Sequence, residues 1–192
     1  IFAPMDYLQS AKNLFLYYKT LGEKAMAQLE PEQLTFQFNE DSNSIGTIVK
    51  HLSGNMISRW TDFMTSDGEK PNRNRDQEFE NDLITKDQIM DKWHEGWAVL
   101  FHALDSLHEG ELDLIVYIRN EGHTVMEAIN RQLAHYPYHV GQIIYIAKAL
   151  KSSPWSSLSI PRNQSSQYNI GKFSQEKTVR NFTENEMERL KK

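Results

Sequence analysis

The chain has 192 residues, with 21 lysines and arginines against 26 aspartates and glutamates, a net charge of −5. This length and an average apolar content predict one globular domain over 1–192, with its core at about 5–151 and an extension at 152–192. The acidic balance argues against a nucleic-acid partner, because neutralising phosphates requires clustered basic side chains. Cysteine is absent, which excludes disulfides, thiolate metal sites and cysteine nucleophiles.

Hydropathy gives no sign of a membrane partner. No stretch approaches the roughly 18 apolar residues that a membrane span needs, and residues 1–10 lack the basic and apolar regions of a secretion signal. We therefore expect a cytoplasmic protein.

Four long segments repeat apolar residues at spacings of three and four, the spacing of one helix face. They lie at residues 5–29, about 44–65, about 86–107 and about 124–150. Pro31 is predicted to end the first helix and Pro137 to kink the fourth, because proline removes a backbone hydrogen bond. The pattern predicts an all-α fold.

The connection at residues 65–81 is polar, contains Gly and Pro and shows no helical periodicity. Such a run predicts a long exposed loop, and loops of this length often carry function. Arg73 and Arg75 alternate there with acidic residues, a pattern typical of a solvated, mixed-charge surface.

Two further segments complete the predicted architecture. Residues 111–124 contain β-branched and aromatic residues with a turn signal at 120–122, which favours a short hairpin before the last long helix. The Ser-rich run at 152–169 predicts an irregular, non-helical tail, and 181–192 a short polar helix. Three apolar side chains of the tail are expected to pack on the helices: Trp155, Leu158 and Ile160.

Histidines form the most informative pattern. His135 and His139 lie four residues apart in the predicted fourth helix, so both imidazoles project from one face and could bind the same ion. His51 in the second helix lies in line with Asn55 and Arg59 and is a candidate third ligand. Three histidines from two helices would leave coordination positions open, as in catalytic zinc sites. The alternative is a core-edge histidine hydrogen-bonded to a neighbouring helix, which the second helix alone favours.

Several other enzyme classes lack their motifs here. The sequence contains no HExxH, GxSxG, P-loop or GxGxxG pattern, which argues against zincin proteases, serine hydrolases, nucleotide kinases and Rossmann enzymes. Neither His135 nor His139 has a Glu three residues before it, so the di-iron helical-bundle pattern is missing. The remaining histidines are interpreted as solvent-facing, packing or turn residues: His94, His102, His108 and His123.

Three segments resemble the DinB/YfiT-like superfamily, and within it a subgroup typical of Bacillus and its relatives. They are IGTIVKHLSGNMISRWTDFMTSDGEKPNRNRDQEFE, AINRQLAHYPYHVGQIIYIAKAL and WSSLSIPRNQSSQYN. The most specific feature is a His early in the second helix paired with H-x-x-x-H-x-G-Q in the fourth. The resemblance implies a four-helix bundle, frequently a homodimer, in which one divalent ion is held by His51, His135 and His139. The sequence departs from the pattern in placing Pro137 between two of these ligands.

The resemblance also implies an activity. Relatives in the superfamily include metal-dependent thiol transferases that use bacillithiol or mycothiol, and a thiol-dependent isomerase. We therefore expect a metal-dependent S-transferase with Zn²⁺ or Ni²⁺, a low-molecular-weight thiol as co-substrate and a small-molecule substrate. The alternatives are a metal-dependent hydrolase and a non-catalytic, metal-stabilised binding or stress-response module. Neutral imidazole suits zinc, nickel, copper and iron alike, so the residues do not select the metal.

Five polar residues are candidates for the shell around the ion: Asn55, Arg59, Arg119, Glu121 and Gln142. Arg59 and Arg119 could clamp a substrate carboxylate bidentately, and Glu121 is the candidate proton acceptor. For each residue the alternative is a polar group on a helix surface or at a cap.

Overall fold

The computed structural model describes residues 6–151 and 154–191. Its α-helices and strands in chain order are α1 (Tyr7–Met26), α2 (Pro31–Leu34), α3 (Ile45–Trp60), α4 (Lys86–Ser106), β1 (Ile115–Ile118), β2 (Glu121–Thr124), α5 (Val125–Leu150), α6 (Ser165–Phe173) and α7 (Phe182–Leu190). Two short 3₁₀ helices, Asp76–Phe79 and Glu109–Glu111, lie before and after α4. The described ranges are mostly helical, with the two strands forming their one sheet, so the expected all-α class is confirmed. Within these ranges, none of the helices combines the length and the apolarity of a membrane span.

Side-chain caps set the starts of the long helices. The Ser44 hydroxyl accepts a hydrogen bond from the Thr47 N–H at the start of α3. Thr85 and Thr124 form capping boxes at the starts of α4 and α5. Caps of this kind act over three residues, and all three predicted helix starts are confirmed within one residue.

Two predicted helix ends are wrong. Helix α1 ends at Met26, and Pro31 begins α2 instead of ending α1, since a proline in the first turn has no intrahelical N–H bond to lose. Helix α3 ends at Trp60, earlier than predicted, because Asp62 adopts a left-handed conformation with φ of 47°. Met5, the predicted start of the first helix, lies outside the described residues.

The helices share a core in which large aromatic rings meet. Helix α3 packs on α4, α1 packs on α5, and α3 also contacts α5. Trp97 of α4 lies against Phe15 and Tyr136, with ring centroids 6.3 and 5.9 Å apart. Fully burying a phenylalanine side chain stabilises a protein by about 1.5–3 kcal/mol, so a cluster of such rings contributes strongly. Gly22 makes room for the neighbouring Trp93, because a Cβ there would lie 2.6 Å from that ring.

A buried hydrogen-bonded chain sets how α3 lies against α5. Trp60 Nε1–H donates to the Tyr136 hydroxyl at 3.0 Å, and that hydroxyl donates to Asn55 Oδ1 at 3.1 Å. All three side chains are buried. Asn55 lies one turn after His51, and Tyr136 directly follows His135, so this contact also fixes the histidines of the two helices relative to each other.

The hairpin predicted within 111–124 is confirmed. Strands β1 and β2 pair antiparallel, and both turn residues, Arg119 and Asn120, have positive φ, at 56° and 61°. A two-residue type I′ turn requires such backbone angles. The turn therefore precedes the predicted position at 120–122, and Gly122 lies within β2. Asp67 anchors the turn by accepting the N–H groups of Arg119 and Asn120, each at 2.8 Å.

Helix α5 and the tail differ in part from expectation. Helix α5 runs through Pro137 without interruption, and the kink predicted there stays a prediction.

In the tail, Trp155 and Leu158 pack on the core whereas Ile160 is exposed. The non-helical prediction is wrong from residue 165, where α6 begins, and residues 152–153 lie outside the described ranges. The short helix predicted within 181–192 is confirmed as α7.

Candidate metal centre

His51 of α3 meets His135 and His139 of α5. The ring centroid of His51 lies 5.5 Å from that of His135 and 5.0 Å from that of His139. One ligand nitrogen of each side chain lies within 4.8 Å of those of the other two. His51 is buried, and the α5 pair is half-buried. The predicted convergence of the three histidines is therefore confirmed, and together they could hold a metal ion.

The two α5 histidines have the spacing of ligands to one ion. Their Nε2 atoms are 3.1 Å apart. With metal–nitrogen bonds of about 2.0–2.1 Å, this separation corresponds to an angle of roughly 100° at a shared ion, close to tetrahedral. The Nδ1 atoms point away from each other. His135 Nδ1 lies 3.3 Å from Gln132 Oε1, and His139 Nδ1 lies 2.9 Å from Gln142 Oε1. Because amide oxygens accept hydrogen bonds, we assign the proton of each imidazole to Nδ1, an assignment that leaves the two Nε2 lone pairs facing each other. Two lone pairs this close repel unless a cation lies between them.

His51 is oriented in the same way, by a carboxylate. Its Nδ1 lies 2.9 Å from Glu78 Oε2, and both side chains are buried. The Nδ1–H donates to the carboxylate, which leaves Nε2 available as a metal ligand. Phe79 stacks on the imidazole, with ring centroids 4.9 Å apart and planes at 29°.

Burial keeps the α5 histidines neutral. Desolvation, aided by the neighbouring His139 and His51, lowers the pKa of His135 to about 3. Desolvation also lowers the pKa of His139, although the hydrogen bond to Gln142 opposes the change. Divalent ions bind the neutral imidazole, so the site requires no proton loss from these two residues at neutral pH.

The prediction of a solvated surface at 65–81 is wrong for two of its charged residues. The side chains of Arg73 and Glu78 are only 5% and 8% exposed, whereas Arg75 is exposed as predicted. Arg73 binds the Glu78 carboxylate with two parallel hydrogen bonds of 2.7 and 2.9 Å, and this pairing allows both charges to be buried. Burial raises the pKa of Glu78, but the hydrogen bonds from His51 and Arg73 outweigh it, so the net shift is downward and the carboxylate is ionised.

The predicted pair Arg59 and Arg119 does meet on a carboxylate, but one of the same chain. Arg59 Nη1 and Arg119 Nη2 lie 3.0 and 3.1 Å from Glu69 Oε2. Arg59 also donates to the Gly68 carbonyl, and Arg73 Nη1 reaches Glu69 at 3.3 Å. Glu69 therefore already occupies both guanidinium groups.

The other predicted shell residues lie in different settings. Gln142 is the partner of His139, and Asn55 belongs to the buried hydrogen-bonded chain. Glu121 is exposed on β2, and its side chain makes no hydrogen bond or ion pair with the described residues. Of the histidines set aside, His94, His102 and His108 are exposed and His123 is half-buried.

Sequence reasoning missed Glu78 and Gln132. Glu78 lies in a polar run, where a carboxylate is normally solvated. The apolar Phe79 beside it is the one signal in the sequence that this segment packs on the helices, where Phe79 stacks on His51. Gln132 precedes His135 by three residues, so both lie on one helix face, and that spacing could have marked it as a partner.

A groove adjoins the centre between α3 and α5. Its volume is about 560 Å³, and it is lined by Gln142 of the histidine shell, by apolar residues and by polar residues near α3. Three exposed aromatic side chains form part of its wall: Phe38, Tyr138 and Tyr145.

The fold and the site together define a helical protein with a three-histidine group that could hold a metal ion. The chain belongs to the family described as "Protein of unknown function (DUF1572)", whose model matches residues 3–164. The matched range includes the three histidines and the connection that contains Glu78. No curated protein and no solved structure matches the chain.

Proposed function

We propose that the chain is a metal-dependent enzyme of the DinB/YfiT-like type. In this proposal α1, α3, α4 and α5 form a four-helix bundle, and His51, His135 and His139 hold one divalent ion. The observation that supports it best is the 3.1 Å separation of the His135 and His139 Nε2 atoms, with a His51 nitrogen within 4.8 Å of both. Three protein ligands are typical of catalytic zinc sites, whereas structural sites use four.

The reaction we propose is the transfer of a small thiol, of the bacillithiol type, to an electrophile. A Zn²⁺ or Ni²⁺ ion, when bound, stabilises a thiolate at neutral pH. The chain has no cysteine, so the sulfur must come from the co-substrate. A carbon–sulfur bond forms, the leaving group departs with its electron pair, and the thiol proton passes to solvent.

The chain's own residues would bind and orient the reactants. The groove offers a small apolar substrate a place beside Gln142, the partner of His139. Gln142 holds His139 through its Nδ1 atom, and Asn55 holds α5 against α3. Arg59 and Arg119 reach a substrate carboxylate only if Glu69 releases them.

A second function fits the same centre, a non-catalytic module that the ion stabilises. The ligands come from α3 and α5, which are distant in sequence, so one ion would cross-link the two helices. Binding of this kind adds directly to folding stability.

One experiment separates the two functions. Protein loaded with Zn²⁺ or Ni²⁺ is mixed with bacillithiol and monochlorobimane, and fluorescent product is followed over time. The enzyme proposal predicts turnover that His139→Ala abolishes and that His102→Ala, at an exposed histidine of α4, leaves unchanged. No turnover, together with a large loss of thermal stability in His139→Ala, supports the non-catalytic module.

A further inference from the structure

The carboxylate of Glu78 is held from two sides. On the inner side, Oε2 accepts the His51 Nδ1–H at 2.9 Å. On the outer side, Arg73 donates Nε–H to Oε1 at 2.7 Å and Nη2–H to Oε2 at 2.9 Å. A bidentate guanidinium contact fixes the plane of a carboxylate. The His51 ring therefore faces an acceptor that cannot rotate away.

Arg73 is itself fixed. Its side chain is 5% exposed, and Nη1 lies 3.3 Å from Glu69 Oε2. Glu69 also binds Arg59 of α3 and Arg119 of the hairpin turn. The position of the Glu78 carboxylate thus depends on a network of several ion pairs and not on one flexible side chain.

Gly54 makes this placement possible. It lies on α3 one turn after His51, and a Cβ there would be 2.3 Å from Glu78 Oε1 and 2.7 Å from Cδ. Glycine inside a helix costs about 1 kcal/mol relative to alanine, so α3 carries a destabilising residue where the carboxylate lies on its backbone. At Gly171 of α6, by contrast, an added Cβ would meet no atom within 4 Å, so that glycine is under no such constraint.

The three histidines differ in their outer partners. His135 and His139 face the neutral amide oxygens of Gln132 and Gln142, and His51 faces an ionised carboxylate. A carboxylate partner fixes the tautomer of a ligating histidine and orients its ring. It also raises the basicity of the imidazole, which makes it a stronger metal ligand. His51 is also the one ligand of the proposed set that comes from α3. Its orientation therefore decides whether all three histidines can bind the same ion.

We propose that Glu78 is a positioning residue of the metal centre. It holds His51 in the Nδ1–H tautomer and directs Nε2 toward His135 and His139, and Gly54 provides the space it needs. This inference rests on the proposed metal-binding function and names the residue on which the affinity of that centre depends.

The test compares two variants with two matched controls. Glu78→Ala removes the carboxylate, and Gly54→Ala displaces it without altering any charged group. The controls are Glu80→Ala, at an exposed carboxylate nearby, and Gly171→Ala, at an exposed helical glycine. Zinc affinity is measured by competition with a chelator, and the Co²⁺ form of each protein is recorded by visible absorption.

We expect both test variants to bind Zn²⁺ about 10–100-fold more weakly and to show altered Co²⁺ bands, because outer-shell partners contribute this much to metal affinity. Both controls should keep the wild-type affinity and spectrum.

A purely structural role would lower the thermal stability of the metal-free protein and leave the Co²⁺ spectrum of the folded protein unchanged. Wild-type affinity and spectrum in folded Glu78→Ala and Gly54→Ala would overturn the inference and leave the metal centre standing. Absence of Zn²⁺ and Co²⁺ binding by the wild-type protein would overturn the proposed function and this inference with it.

Discussion

The Nε2 atoms of His135 and His139 lie 3.1 Å apart on successive turns of α5, with Pro137 between them. Their Nδ1 atoms are turned outward to Gln132 and Gln142, and with the proton assigned to each Nδ1 both nitrogens that face each other lack one. Such an arrangement is stable around a cation and unfavourable without one. It is the local reason to interpret this helix face as a metal centre and not as a packing surface.

Removing the Tyr136 hydroxyl is expected to destabilise the fold. Tyr136→Phe leaves the buried Trp60 N–H and Asn55 oxygen without partners, which costs about 1–3 kcal/mol. Urea unfolding followed by circular dichroism measures the difference. Tyr145→Phe, at an exposed tyrosine of the same helix, is the control and should change stability little. Equal stability of Tyr136→Phe and wild type would show that the hydrogen-bonded chain does not hold α3 to α5.

Acid should weaken the attachment of the hairpin turn. The backbone N–H of Asn120, then those of Glu69 and Arg119, lower the pKa of Asp67 below its ordinary 3.8. The native state therefore favours the carboxylate, and its contribution is present above about pH 4 and is lost as the pH falls through the lowered pKa. Asp67→Asn should cost on the order of 1 kcal/mol at pH 7, a modest value because the group is partly exposed, and the difference should shrink below pH 4.

Unfolding free energies of wild type and Asp67→Asn at several pH values test this. Asp91→Asn, at an exposed aspartate of α4, serves as the reference and should follow wild type. A difference between Asp67→Asn and wild type that stays constant down to pH 2 would contradict the assignment.

The sequence predicts local features of this fold well, and features that depend on distant contacts poorly. The start of α3 and the i, i+4 pair at 135 and 139 involve residues within one helical turn, and both are confirmed. The end of α3 depends on the backbone of Asp62, whose left-handed φ no apolar pattern encodes. The turn at 119–120 places a non-glycine residue, Arg119, at positive φ because Asp67 holds its N–H.

In the candidate site, too, the local features could be predicted and those that depend on distant contacts could not. The spacing of His135 and His139 places them on one face, but their approach to His51 requires α3 to lie beside α5, which the resemblance implied and the residues alone did not. The burial of Glu78 could not be predicted, because it depends on Arg73 for charge and on Gly54 for space. A charged run looks the same in sequence whether or not such partners exist.

The homodimer expected from the resemblance is a separate prediction. Light scattering on the purified chain should give about twice the monomer mass of 22.4 kDa. A single species of monomer mass across a range of protein concentrations would refute it. This result would leave the metal centre unaffected, because all three histidines come from one chain.

Metal analysis of the purified chain shows whether the three histidines hold an ion. The protein is prepared without an affinity tag, because a tag could itself bind metal, and is washed free of loosely bound ions. Its metal content is then measured by elemental mass spectrometry, alongside that of His51→Ala and His102→Ala. We predict close to one divalent ion per chain in wild type and His102→Ala, and little in His51→Ala, since two remaining nitrogens bind an ion weakly. Wild-type protein that holds no metal, even after incubation with Zn²⁺ and Ni²⁺, would refute the metal centre.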